Sequence, residues 1–167
     1  MLKLWHERFS AAKLVNMYGI TETTVHVTYK TVDHDDILAG QYNIGVPLPH
    51  MRLYIMDRDH RLVPQGVMGE IVVGGYGVTK GYLNRPGLNN ERFIADPYTP
   101  GERLYCSGDM GVMLENGEVL YKGRNDSQVK IRGHRIEPGE ISRRLLEHAS
   151  VTEALVGSRA DAGGGAR

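Results

Sequence analysis

The stretch VMLENGEVLYKGRNDSQ, residues 112–128, decides how the chain is read. Asn116-Gly117 stands between two runs of alternating apolar residues, and Asn-Gly suits the positive φ angles of a tight reversal, so the pattern predicts a two-residue β-hairpin. Immediately downstream, GRNDSQ (residues 123–128) is polar, charged and opened by glycine, the composition of a boundary between two folded units.

Upstream of that boundary, the β-prone runs RLYIMD (52–57) and EIVVGG (70–75) end at turn-forming residues, which predicts a mostly β middle of the chain. Helical periodicity stands out only late. PGEISRRLLEHA (138–149) places Ile141, Leu145, Leu146 and Ala149 on one face, with Pro138 in the first turn and Glu140 near the positive end of the dipole. A strand is expected over TEALVGS (152–158), followed by a frayed, glycine-rich end.

Composition narrows the chemistry. Twenty Lys+Arg against 20 Asp+Glu leave no positive field for a polyanion, so nucleic acid is not an expected partner. The opening MLKLWHERFS is broken by charge too early for a signal peptide, and no apolar run reaches the length of a membrane span, so no membrane association and a cytoplasmic location are expected. Cys106 is the single cysteine and is expected to pack as a small hydrophobe. GGYGVTKG (74–81) superficially resembles a phosphate-binding loop, but Thr79 stands where the second glycine is required and no helical pattern follows, so a glycine-rich turn with a solvated Lys80 is expected.

NMYGITETTVHVTY (16–29) is the stretch with most chemistry. Tyr18 offers a flat face for a nucleobase, Gly19 a close backbone approach, Thr21 a donor to a phosphate oxygen and Glu22 a carboxylate for Mg²⁺. The same residues also suit a polar entrance to a β-branched strand, and residue types alone leave both readings open.

Four motifs in order resemble one family. NMYGITE, GEIVVGGYGVTKGYLNRP, LYCSGD and GRNDSQVKIRGHRIEPGEI are similar to the core motifs of adenylate-forming enzymes, specifically the adenylation domains of nonribosomal peptide synthetases, over roughly residues 14 to 150. The resemblance implies ATP-dependent formation of an aminoacyl adenylate, with transfer to the phosphopantetheine thiol of a peptidyl carrier domain. It implies a mixed, β-rich α+β fold: the C-terminal part of a large subdomain (1–125), comprising part of its distorted β-barrel and sheet, then a truncated small subdomain (126–160) and a disordered tail (161–167).

By the same resemblance, Asn16 and Tyr18 border the adenine, Gly19 belongs to the same cofactor-binding segment, Thr21 meets the α-phosphate and Glu22 helps hold magnesium. Asp109 accepts from both ribose hydroxyls, as suits an acceptor-only carboxylate, and Arg124 reaches the ribose and phosphate region. Asp126 is the hinge between subdomains, and Lys130 and Gly133 lie on the loop facing the pantetheine arm. Met17, Val25 and His26 resemble the tail of a threonine-activating pocket.

Departures are Ile20 in place of a common proline, Ser107 in place of threonine and Ser142 in place of an acidic residue. A full domain of this family also carries a Rossmann-like half with a phosphate loop and a C-terminal lysine, neither of which matches this chain, so the expectation is a fragment inactive by itself. The alternatives are a non-enzymatic interaction module and a fragment of a related acyl-CoA or aryl-acid ligase.

Overall fold

The computed structural model describes residues 2–9, 11–131 and 134–158. The chain divides into two compact units, residues 1–123 and 124–167.

The first unit is built on an antiparallel sheet. Its elements are α1 (Leu2–Arg8), β1 (Leu14–Tyr18), a 3-10 turn (Thr21–Thr23), β2 (Thr28–Val32), α2 (His34–Ala39), β3 (Asn43–Pro47) and β4 (Met51–Met56). They continue with β5 (Met68–Gly75), α3 (Pro86–Arg92), β6 (Phe93–Ala95), β7 (Arg103–Met113) and β8 (Val119–Arg124), whose last residue falls across the unit boundary. The strand order is β1-β2-β3-β8-β7-β5-β4, with β6 added alongside β7.

β5 shows how the sequence buries itself. Successive strand side chains point to opposite faces. Ile71 and Val73 enter one core cluster with Tyr18, Val27, Leu53 and Val119, while Val72 joins Met56, Leu104 and Cys106 in another. All three β5 residues are fully buried, which is why EIVVGG reads as an unbroken apolar run instead of an alternating one.

The Asn116-Gly117 hairpin joins β7 to β8, but its turn differs from the expected two-residue loop. The Gly117 amide donates to Leu114 O (3.0 Å) and the Leu114 amide to Glu118 O (2.8 Å), enclosing Glu115, Asn116 and Gly117. Asn116 keeps a negative φ, and only Gly117 (φ 81°) is left-handed. This is a three-residue loop with a glycine bulge, the next most common hairpin connection.

Three helices escape the periodicity reading because each is too short to display a repeat. α2, with six residues, is held by its ends: Asp33 and Asp36 form a reciprocal capping box and Gly40 closes the helix in a left-handed conformation. No helix among the described residues is long and apolar enough to cross a membrane.

The second unit contains the hairpin of β9 (Val129–Ile131) and β10 (His134–Ile136), followed by α4 (Pro138–Leu146). α4 begins at Pro138 as expected but ends at Leu146, so Ala149 lies beyond it, and Gln128, buried, donates its side-chain amide to the Glu137 carboxylate. The strand expected over 152–158 is not formed; no ladder partner lies beside it among the described residues, and a β-prone run is a strand only when paired. The tail expected over 161–167 lies outside the described residues.

Candidate functional site

β1 ends at Tyr18, and residues 19–27 fold back on themselves before β2 begins at Thr28. The sequence reading of a strand entrance that runs on through Val25 is therefore corrected: Thr21–Thr23 form a 3-10 turn, and Thr24 (φ 59°) and Val25 (φ 74°) are both left-handed. Val25 is β-branched, for which that region is a true outlier. The surroundings impose it. Val27 N donates to Tyr18 O (2.8 Å), Thr23 N to Ile20 O (3.0 Å) and Val25 N to Ile20 O (3.3 Å).

This loop is clasped by the glycine-rich segment that follows β5. Thr79 N donates to Glu22 O (2.9 Å) and Thr24 Oγ1 to Gly77 O (2.8 Å). The segment is a turn with Lys80 exposed, as expected, and its backbone serves to hold residues 21–24 in place.

Tyr18 and Asp109, 91 residues apart in sequence, meet through a hydrogen bond of 2.6 Å from the tyrosine hydroxyl to Asp109 Oδ2. A bulge delivers the carboxylate. Glu70 pairs with Met110 and Val72 with Cys106, so Ser107, Gly108 and Asp109 of β7 stand opposite the single residue Ile71. Ser107 secures the bulge: its hydroxyl donates to Ile71 O (2.6 Å) and accepts from the Asp109 amide (3.0 Å). The serine that replaces threonine thus retains a hydroxyl used by the backbone. Tyr121 adds a longer contact to Asp109 Oδ1 (3.4 Å). Asp109 is buried, and burial pushes the Tyr18 phenol well above its ordinary pKa, with the negative charge of Asp109 acting in the same direction.

Glu22 is also buried, and its carboxylate accepts from the Tyr82 hydroxyl, which lies 3.2 Å from the Tyr105 hydroxyl. Tyr82, Tyr105 and Phe93 pack as one aromatic cluster with Ile20. Isoleucine in place of proline thus supplies core contact at the head of the turn. Thr21 is exposed at the start of the turn. Asn16 donates its side-chain amide to Asn43 O (2.7 Å) and borders an open groove of about 590 Å³ walled by Leu14, Val32 and Ile37. Tyr18, Glu22 and Asp109 do not line that groove. Met17, Val25 and His26 are exposed, with Met17 on β1 opposite Tyr29.

Within the second unit, Arg124 grips Asp126 in a bidentate pair, Nε to Oδ1 and Nη2 to Oδ2, both 2.7 Å. Lys130 pairs with Arg135 in the β9–β10 ladder, and Gly133 lies outside the described residues.

Tyr82 and Tyr121 were not singled out by the sequence. Tyr82 does sit inside the recognisable GYLNRP segment, whereas Tyr121 is indistinguishable from any strand tyrosine until the fold brings it to Asp109. Among the described residues no group of three or more His, Cys, Asp or Glu could hold a metal ion. Magnesium is commonly held by one or two carboxylates together with substrate phosphates, and a single buried carboxylate such as Glu22 fits that mode.

Comparison with known proteins supplies the family. Residues 1–83 match the family described as AMP-binding enzyme. The chain is 52% identical over 160 residues to malpinin synthetase of Mortierella alpina, covering 93% of this chain and 2% of that protein. It is 47% identical over 152 residues to tyrocidine synthase 3 of Brevibacillus parabrevis, covering 90% of this chain and 2% of that protein. The chain therefore spans only a small part of the curated relatives it matches. The solved structure of holo-PA1221, described as an NRPS protein containing adenylation and PCP domains bound to a vinylsulfonamide inhibitor, is 26% identical, with a TM-score of 0.88 over 99% of this chain and 29% of that one.

Proposed function

The chain belongs to the AMP-binding enzyme family, as a part of a nonribosomal peptide synthetase adenylation domain, and on that premise we propose that its residues form the nucleoside side of a site for aminoacyl-adenylate formation. The observation that carries this reading is the meeting of Tyr18 and Asp109 at 2.6 Å, since it joins residues from two motifs with separate nucleotide roles.

In this reading Tyr18 and Asn16 border the adenine, Gly19 lets the backbone come close to the nucleotide, Asp109 accepts from the ribose hydroxyls and Arg124 acts on the ribose and phosphate region. Thr21, exposed at the head of the 3-10 turn, donates to the α-phosphate. Glu22 holds magnesium, which neutralises phosphate charge when bound. The reaction needs no protein nucleophile, because the substrate carboxylate attacks phosphorus; the residues contribute positioning and charge complementarity.

Met17, Val25 and His26 are proposed to face the amino acid, whose side chain is threonine if the resemblance of those positions holds. Asp126 is proposed as the hinge, with Lys130 and Gly133 facing the pantetheine arm of a carrier domain. The units divide between Gly123 and Arg124, and the Arg124–Asp126 pair gives the proposed hinge a specific contact that reorientation would have to break or carry along.

The test is calorimetric titration of the chain with AMP. Binding that Asp109→Asn weakens at least about tenfold supports the reading, because a charged acceptor would be lost from a buried site. Equal affinity in the parent and Asp109→Asn would overturn it.

A further inference from the structure

We propose that Tyr18 is a positioning residue for the Asp109 carboxylate, so that its hydroxyl, as distinct from its ring, sets recognition of the ribose diol. The inference rests on the reading that Asp109 accepts from that diol.

Asp109 sits on a bulge where three residues of β7 face one of β5, so the regular ladder does not fix its side chain. Tyr18 is fixed independently. It is 9% exposed, at the end of β1, and its ring belongs to the core cluster containing Val27, Ile71 and Val119. The position of its hydroxyl is thus dictated by the core. At 2.6 Å from Oδ2, that hydroxyl donates to the carboxylate and orients it. Tyr121 makes a longer contact to the other oxygen, 3.4 Å from Oδ1. A carboxylate oriented before the ligand arrives loses less freedom on binding, which is the general source of affinity in a preorganised site.

Ring and hydroxyl are separable. Tyr18→Phe keeps the ring in its cluster and removes only the hydroxyl, and thermal melting monitored by circular dichroism verifies that the fold is retained. Affinities of the parent chain, Tyr18→Phe and Asp109→Asn are then measured for AMP and for 2′,3′-dideoxy-AMP, which lacks the diol. Tyr18→Phe should weaken AMP about five- to tenfold while changing the dideoxy nucleotide less than about twofold. In an Asp109→Asn background, Tyr18→Phe should cost AMP less than about twofold.

Parallel losses for both nucleotides would make the hydroxyl a merely structural group and overturn the inference. So would unchanged AMP affinity. A parent chain that binds the two nucleotides equally, and is insensitive to Asp109→Asn, would overturn the ribose reading itself and this inference with it.

Discussion

Gly19 lies so close to Val25 that a Cβ on it would stand 1.7 Å from the Val25 carbonyl oxygen. The contact closes the loop between β1 and β2 and holds Thr21 and Glu22 in their turn. Because the opposing atom is backbone, it cannot swing aside. Gly19→Ala should therefore cost more than about 3 kcal/mol, measured by urea denaturation, through displacement of the loop.

Gly117 offers the contrasting case. Its backbone is left-handed (φ 81°), but a Cβ there meets nothing within 4 Å. Gly117→Ala should lose only about 1 kcal/mol, the cost of the conformation alone. Equal losses at the two glycines would show that steric closure around Gly19 is not what distinguishes them.

Tyr82→Phe removes a donor to the buried Glu22 carboxylate and leaves the ring packed against Phe93. Hydrogen bonds to charged groups are worth about 1.5–3 kcal/mol, so the urea midpoint should fall accordingly with an unchanged m-value. A loss below about 0.5 kcal/mol would mean that Glu22 does not depend on Tyr82.

Burial pushes the Cys106 thiol from 9.0 to about 12, so the folded chain retains a proton that the unfolded chain releases. Between those values the native state binds more protons, and stability declines as pH rises, by up to about 1.4 kcal/mol per unit. Cys106→Ala should flatten this decline between about pH 9 and 10, before tyrosines contribute. Denaturation curves at stepped pH measure it; an unchanged slope in the variant would locate the proton elsewhere. In the native chain the thiol should react with a disulfide reagent only on unfolding.

Limited proteolysis should cut first between about residues 122 and 134 or in the terminal segment, because the unit boundary falls between Gly123 and Arg124 and Asn125 and Ser127 are exposed. Earlier cleavage within residues 68–82, which include the largely buried β5, would place the weak point elsewhere.

What the sequence determined by itself was local or repetitive. The β-rich middle followed from β-prone runs ended by turn-forming residues, and α4 from its proline start and apolar spacing, because each element records its own period in consecutive residues. The family followed from four motifs in order. The short α1, α2 and α3 left no period to read, Asn116 chose between two hairpin loops through a single φ angle, and TEALVGS needed a partner to become a strand. The candidate site was decided only by tertiary structure. Tyr18, Glu22 and Asp109 were legible as residues of interest, but a hydroxyl and a carboxylate 91 positions apart acquire a relationship through sheet order and a bulge in β7, and neither leaves a mark on local composition. Tyr82 and Tyr121 became part of the site for the same reason: long-range packing brings their hydroxyls to carboxylates whose burial requires donors.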